Sequence, residues 1–374
     1  MPASFQSNRD KRIEGYNTAP ESTCVVPLIT QGVLKDFVKR IFVATGSGEV
    51  EAELVAEYLV RANLSGVDSH GIIRIPDYVQ MVEEGRMHPN VVPRVVRDRG
   101  AMATVDAGLG YGQVGAKMAM ELAIAKAREH GVGTVSVFNC NHAGRIAEYP
   151  LLAAENDMVG ILMVKAFGAI VAPWGGRGRI LSTSPMSFAI PAKTEPPIVA
   201  DFATSISAEG KIRVKNARGE KIPFGWVLNS EGKPTDDPAD LYNGGALVTF
   251  GESKGYALNL LMEAMGAALS GAGILSSFSG SNGVFAMAVD IGSFSDPEEF
   301  KENIDRMIKT IRASQPAEGV KEVLIPGDPE AREAKRRMAN GIAVEDKTWD
   351  RVVAVATKYR VETPRVSPSP AVPH

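Results

Sequence analysis

The 374-residue chain is poor in the residues that build several familiar kinds of site. It has two cysteines, Cys24 and Cys140, too few for a disulfide framework or a Cys-rich zinc site. It has no basic surplus: 41 Lys and Arg stand against 44 Asp and Glu, a net charge of −3, so a general nucleic-acid binder is not expected. Apolar runs such as Met158 to Val164 fall far short of the ~18 residues of a membrane span, so no membrane association is expected. The first 25 residues carry no apolar signal region, and Asp10, Glu14 and Glu21 interrupt any amphipathic leader. A cytoplasmic protein is the expectation. No Gly-x-Ser-x-Gly occurs, which leaves nucleophile-elbow hydrolysis without its central element. There is no internal repeat.

Glycine, by contrast, is abundant at 37 residues, and hydrophobic periodicity is clear along most of the chain. Val33, Leu34, Phe37, Val38 and Ile41 fall at helical spacing within Thr30 to Val43. Further helices are read at Val50–Leu64 and after Pro76. Strand-like pieces follow at Val91–Val96 and Ala101–Val105. The helix Val114–Glu129, closed by Gly131, leads into a buried strand, Val132–Phe138. Helix Ile146–Asn156, strand Met158–Val164, strand Ile198–Phe202 and helix Ile206–Val214 continue the alternation. Residues 216–243 read as a long loop, 255–269 as a helix and 284–289 as a strand. Three helices close the chain, near 298–312, 329–339 and 348–359. The alternation predicts an α/β fold with a mixed core and helical ends. Its expected divisions are a disordered extension (1–26), a helical segment (27–98) and a mixed α/β core (99–290). A helical segment packing on the N-terminal one (291–362) and a Pro-rich tail (363–374) follow.

Several clusters carry candidate chemistry. Asp68-Ser69-His70-Gly71, with Arg74 and Tyr78 at helical spacing from His70, can put an imidazole, a guanidinium and a phenol on one stripe. Arg clamps a carboxylate and His exchanges a proton near neutral pH. An ordinary surface helix fits the same spacing. Asn141-His142-Ala143-Gly144 follows a strand, where α/β proteins place ligands, although Asn141 could equally cap a helix there. Asp201-Phe202-Ala203-Thr204-Ser205 also ends a strand and could meet a ribose or orient a histidine. Lys254 opens a helix in a glycine-rich loop and suits a phosphate. Gly110-Tyr111-Gly112-Gln113-Val114-Gly115 is a literal G-x-G-x-x-G, but it does not sit at its strand's tip. The next strand ends at Phe138-Asn139 without the acidic residue of a Rossmann site, so it reads as a turn starting a helix. His70 and His142 lack partners at metal-ligand spacing, and no metal is expected.

In chain order, these pieces resemble the type 2 malate/L-lactate dehydrogenase family, whose members include ureidoglycolate and sulfolactate dehydrogenases. The resemblance runs from about Pro27 to Val361 and includes Gly175-Gly176, Thr183-Ser184-Pro185, Gly225-Trp226 and Pro326-Gly327-Asp328. It implies a non-Rossmann NAD(P)-binding mixed sheet core and an NAD- or NADP-dependent dehydrogenase, NAD preferred, acting as a homodimer. The implied substrate is a small 2-hydroxy or 2-oxo acid (malate-, lactate- or ureidoglycolate-like), with reduction of a cyclic 2-imino acid as the alternative. Carried over by position, His70 and His142 are acid/base candidates, and Ser69, Arg74 and Tyr78 substrate contacts. Ala166, Thr183, Ser184, Pro185, Asp201, Phe202, Ala203, Lys254, Pro326, Gly327 and Asp328 fall at cofactor positions. Ser184 departs from the Asn common in the family. A metal-dependent lyase or hydrolase using His70, His142 and Asp201, and a non-catalytic acid sensor, are the rival readings.

Overall fold

The computed structural model describes residues 27–275, 280–365 and 367–368. The expected extension, 1–26, lies outside them, as does Cys24 and all of the expected tail except 363–365 and 367–368.

After a short strand, β1 (Pro27–Ile29), the chain forms α1 (Gln31–Ala44), α2 (Glu49–Leu64) and α3 (Ile75–Glu83). Strands β2 (Arg94–Arg99) and β3 (Met102–Asp106), helix α4 (Gly112–His130) and strand β4 (Val132–Cys140) follow. Next come α5 (Glu148–Ala154), β5 (Met158–Lys165), β6 (Met186–Ile190), β7 (Ile198–Phe202) and α6 (Glu209–Ala217). The expected loop at 216–243 instead contains β8 (Val227–Leu228), β9 (Pro234–Thr235) and α7 (Ala239–Tyr242). With β10 (Ala246–Leu247) these strands make a small sheet, packed on Ile212, Ile222 and Leu241. Two-residue strands are too short to show an alternating pattern, which is why they escape a periodicity reading.

Helix α8 (Ser253–Met262) runs on into a π-helical stretch, Glu263–Ala268, within the single helix expected over 255–269. Strand β11 (Asn282–Asp290) precedes α9 (Pro297–Arg312), α10 (Asp328–Asn340), β12 (Ile342–Ala343), α11 (Asp346–Lys358) and β13 (Ser367–Pro368). Seven strands form the main sheet in the order β2-β3-β4-β11-β5-β6-β7. Only β3 and β4 run parallel; every other neighbouring pair is antiparallel. A Rossmann sheet is parallel throughout its nucleotide-binding half, so the expectation of a different, mixed sheet holds.

The central strands are apolar because both faces are covered. Val135, Val137, Leu162, Val164, Val284 and Ala286 pack under the alanine-rich face of α4. That face can lie close only because its residues are small. A Cβ added at Gly133 in β4 would overlap the Ala123 carbonyl of α4. A second core joins the chain's two ends: Leu34, Phe37, Phe42, Leu59 and Tyr78 pack with Ile342, Val352 and Ala356. Strand β1 pairs antiparallel with both β12 and β13. Helix α9 lies elsewhere, with Ile304 and Ile308 against Phe188, Ile190 and Ile198 of β6 and β7. Asp305 of α9 accepts the Lys193 and Thr194 N–H groups at 3.0 Å each.

Gly133→Ala should lower stability by roughly 1–3 kcal/mol, the usual cost of overpacking a fitted core. A denaturation midpoint equal to that of the parent chain would contradict the α4–β4 contact.

Candidate active site

Two loops, separated in sequence by α3, β2, β3, α4 and β4, meet at the histidines. The first follows α2. Asp68–His70 forms one 3-10 turn and Ile72–Arg74 another, before α3 begins with Pro76 in its first turn. Buried Asn63 shapes the passage: its Nδ2 donates to Asp68 Oδ1 at 2.6 Å, and its Oδ1 accepts the Ile72 N–H at 2.9 Å. Arg337 of α10 grips both Asp68 oxygens at 2.7 and 3.0 Å. The expected single stripe from His70 to Tyr78 is therefore broken. Arg74 folds back, donating through Nε to the Ser69 carbonyl at 2.7 Å, with Asp77 3.4 Å away. Tyr78 is 1% exposed and lies beneath His142.

The second loop follows β4. Asn141 does not cap a helix: its Nδ2 donates to the carbonyls of Leu109 at 2.7 Å and Gly110 at 3.1 Å. Asn282 donates to the Asn141 carbonyl at 3.3 Å and accepts the Phe167 N–H at 2.6 Å. This sets Ala166 beside the same loop. A Cβ at Gly112 would overlap the Asn141 carbonyl and lie 2.6 Å from that of His142. The glycine motif thus seats the histidine loop against α4.

His70 and His142 stack, ring centroids 5.4 Å apart and planes 23° from parallel. Ser69 Oγ meets His70 Nδ1 at 2.9 Å, and Tyr78 Oη meets His142 Nδ1 at 2.6 Å. Dense surroundings push the His70 imidazole down to about 4, with the positive charges of Arg74 and Arg145 adding to the effect. His142 is also held well below the usual imidazole range, by burial first and then by Arg74 and His70. Both rings are neutral at pH 7.

Asp201, at the end of β7, adjoins this site through the Ala147 N–H, which donates to its Oδ2 at 2.9 Å. Burial pushes its carboxyl up to about 6, against the pull of Arg145. The residue nonetheless keeps solvent-exposed surface. Arg145, which sequence reasoning missed, is buried in an ion pair with Glu148 at 2.6 Å. Glu148 also meets Arg61 at 2.9 Å. The only sequence signal for Arg145 is its place three residues after His142.

Several of the remaining cofactor candidates meet at Thr204. Its hydroxyl lies 2.9 Å from the Thr183 carbonyl and 3.0 Å from that of Ser184, and Asn259 Nδ2 donates to it at 2.8 Å. Ser184 has a φ of 24° and a buried hydroxyl with no hydrogen-bond partner among the described residues. The Pro185 carbonyl accepts the Val164 N–H at 3.0 Å. Phe202 packs edge-on against Phe250 at 5.9 Å, beside Ala203. Lys254 stands exposed on the first turn of α8. Pro326 joins this wall by accepting the Val199 N–H at 3.0 Å. Beyond Gly327, Asp328 is committed internally, to the Ile325 N–H at 2.9 Å and Arg312 at 2.7 Å.

These donors and acceptors suit a dinucleotide. Asp201 offers an open carboxylate for hydroxyl donors, Lys254 a cation at a helix start for phosphate, and Ser184 an unsatisfied hydroxyl. Among the described residues, no group of three or more His, Cys, Asp or Glu converges as a metal-ligand set.

Residues 29–353 match the model of the malate/L-lactate dehydrogenase family. The chain is 36% identical over 349 residues to a malate dehydrogenase of Pyrococcus abyssi, covering 89% of this chain and 95% of that protein. It is also 36% identical, over 332 residues, to an L-sulfolactate dehydrogenase of Methanothermobacter thermautotrophicus, covering 87% and 95%. The crystal structure of malate dehydrogenase from Entamoeba histolytica superposes with a TM-score of 0.87 at 29% identity, over 91% of this chain and all of that one.

In an NMR titration His70 should take up its proton near pH 4, and Arg74→Ala should move that midpoint upward by removing a neighbouring positive charge. A midpoint near 6.5 in the parent protein would refute the burial argument.

Proposed function

The chain belongs to the malate/L-lactate dehydrogenase family and is an oxidoreductase; on that premise we propose that it oxidises or forms a small 2-hydroxy acid at carbon 2, with NAD or NADP as the redox partner. The observation that carries this reading is the neutral His70–His142 pair, 5.4 Å apart, with the Arg74 guanidinium beside it.

Each group then has a task. Arg74 Nε is committed to the Ser69 carbonyl and Nη1 lies 3.4 Å from Asp77; Nη2 is left for the substrate carboxylate and fixes carbon 2 in place. Ser69 holds His70 through Nδ1, so His70 Nε2 takes the hydroxyl proton during oxidation and returns it during reduction. A bound carboxylate offsets the Arg74 charge, which raises the His70 pKa and lets the ring carry a proton when the keto acid is reduced. When bound, the nicotinamide supplies or accepts the hydride. Asp201, Phe202, Ala203, Ala166 and the Thr183–Pro185 loop would hold it, with Lys254 for its phosphates and Pro326–Asp328 along the same wall. The family resemblance further supports a homodimer, and among the described residues no helix is long and apolar enough to cross a membrane.

Incubation with NADH or NADPH and pyruvate, oxaloacetate or sulfopyruvate should consume the reduced nucleotide, and EDTA should not abolish the reaction. Turnover of cyclic imino acids alone would select the reductase alternative, and no turnover in any pairing would refute the dehydrogenase reading. His70→Ala should cut turnover by roughly 10²–10⁴-fold with nucleotide binding retained; near-normal turnover would remove His70 from the role.

A further inference from the structure

Resting on the dehydrogenase reading above, we propose that Gln113 is a positioning residue. Through Tyr78 it fixes His142 as its Nε2–H tautomer, so that His142 serves as a neutral hydrogen-bond donor to the oxygen on the substrate's carbon 2. Gln113 is the one polar residue of the glycine motif, fully buried in the first turn of α4. Its Nε2 donates to Tyr78 Oη at 3.0 Å, and Tyr78 Oη lies 2.6 Å from His142 Nδ1.

The direction of this chain follows from a third contact. The Gly144 backbone N–H points at His142 Nδ1, 3.4 Å away, and a backbone N–H can only donate. Nδ1 is therefore an acceptor and carries no proton in the neutral ring. The Tyr78 hydroxyl must then donate its proton to Nδ1, and its oxygen is free to accept from Gln113. These three contacts agree on one arrangement, Gln113 N–H to Tyr78 O–H to His142 Nδ1, and the other acceptor within reach of the Tyr78 hydroxyl, the His142 carbonyl, lies farther off at 3.4 Å than Nδ1 at 2.6 Å. The ring proton of His142 is left on Nε2, on the opposite side of the imidazole, which has no hydrogen-bond partner among the described residues.

The consequence is a division of labour. A neutral imidazole with its proton on Nε2 cannot accept the substrate hydroxyl proton there. It can hydrogen-bond to the carbon-2 oxygen as negative charge grows on it during reduction. His70, which no such relay constrains, is left as the proton exchanger. Burial keeps His142 from charging, so its role does not change across the ordinary pH range.

The test uses the full chain labelled with ¹⁵N-histidine, with the His142 signals assigned by their loss in His142→Gln. The parent protein should show a pyridine-type Nδ1 and a pyrrole-type Nε2 for His142; the reverse pattern would overturn the proposal. In Gln113→Glu, at a pH high enough to ionise the buried carboxyl, the carboxylate would accept the Tyr78 proton, the phenol oxygen would accept from Nδ1–H, and the tautomer would reverse. Turnover should then fall about 100-fold with nucleotide affinity unchanged. Gln113→Leu removes the bias without reversing it and should cost roughly 10-fold, and it serves if the glutamate variant does not fold. Parental tautomer and full turnover in the folded variants would overturn the role of Gln113. The spectra need no substrate, so failure to oxidise any hydroxy acid would sink the dehydrogenase reading and leave the tautomer result standing.

Discussion

Where α4 starts, its backbone touches the backbone of Asn141 and His142 with no space for a side-chain carbon at Gly112. Most of the active site hangs on this contact. It presses the loop after β4 against the helix that also carries Gln113, so His142 and the groups behind it share one rigid support. Asn141 closes the seam from the other side by tying itself to the Leu109 and Gly110 carbonyls. Packed interiors have few alternative arrangements, so a loop held this way keeps its histidine within the narrow tolerance that chemistry requires.

The same crowding sets the electrostatics. Removing charge stabilisation by water pushes an imidazole down and a carboxyl up, and here it does both within one site. His70 falls to about 4 and Asp201 rises to about 6, which inverts their usual order. Arg74 and Arg145 add to the first shift, and Arg145 opposes the second. The site therefore presents neutral imidazoles to an anionic acid, with the permanent positive charge left to the arginines. Opposed shifts of this kind are how one pocket separates proton-exchanging groups from those that bind.

Much of this was legible from the residues. Strands β4, β5 and β7 and helices α1, α2 and α4 announce themselves by long apolar periods, and His70, Arg74, His142 and Asp201 stand at element ends. The small sheet around Val227 and Pro234 was not legible, because its strands are shorter than the period that would reveal them. The break between His70 and Tyr78 was hidden too: it depends on side-chain bonds from Asn63, at the end of the preceding helix, and from Arg337, far away in sequence. Gln113 and Arg145 act through contacts that only the tertiary fold creates. The glycine motif was legible as something other than a nucleotide loop, yet its purpose needed the loop it faces.

The grip of Arg337 on Asp68 also bears on how the protein is made. The turn carrying His70 emerges early from the ribosome, and its anchor in α10 arrives 269 residues later. The pairing of β1 with β12 closes a still longer span, Leu28 to Ala343. Contacts of such separation form late, because the intervening chain must first be drawn together. A growing chain could thus assemble its central sheet while the substrate side of the site stayed open. The histidine loops would meet in their final register only after the C-terminal helices had docked, so the enzyme would acquire its chemistry as one of the last acts of folding.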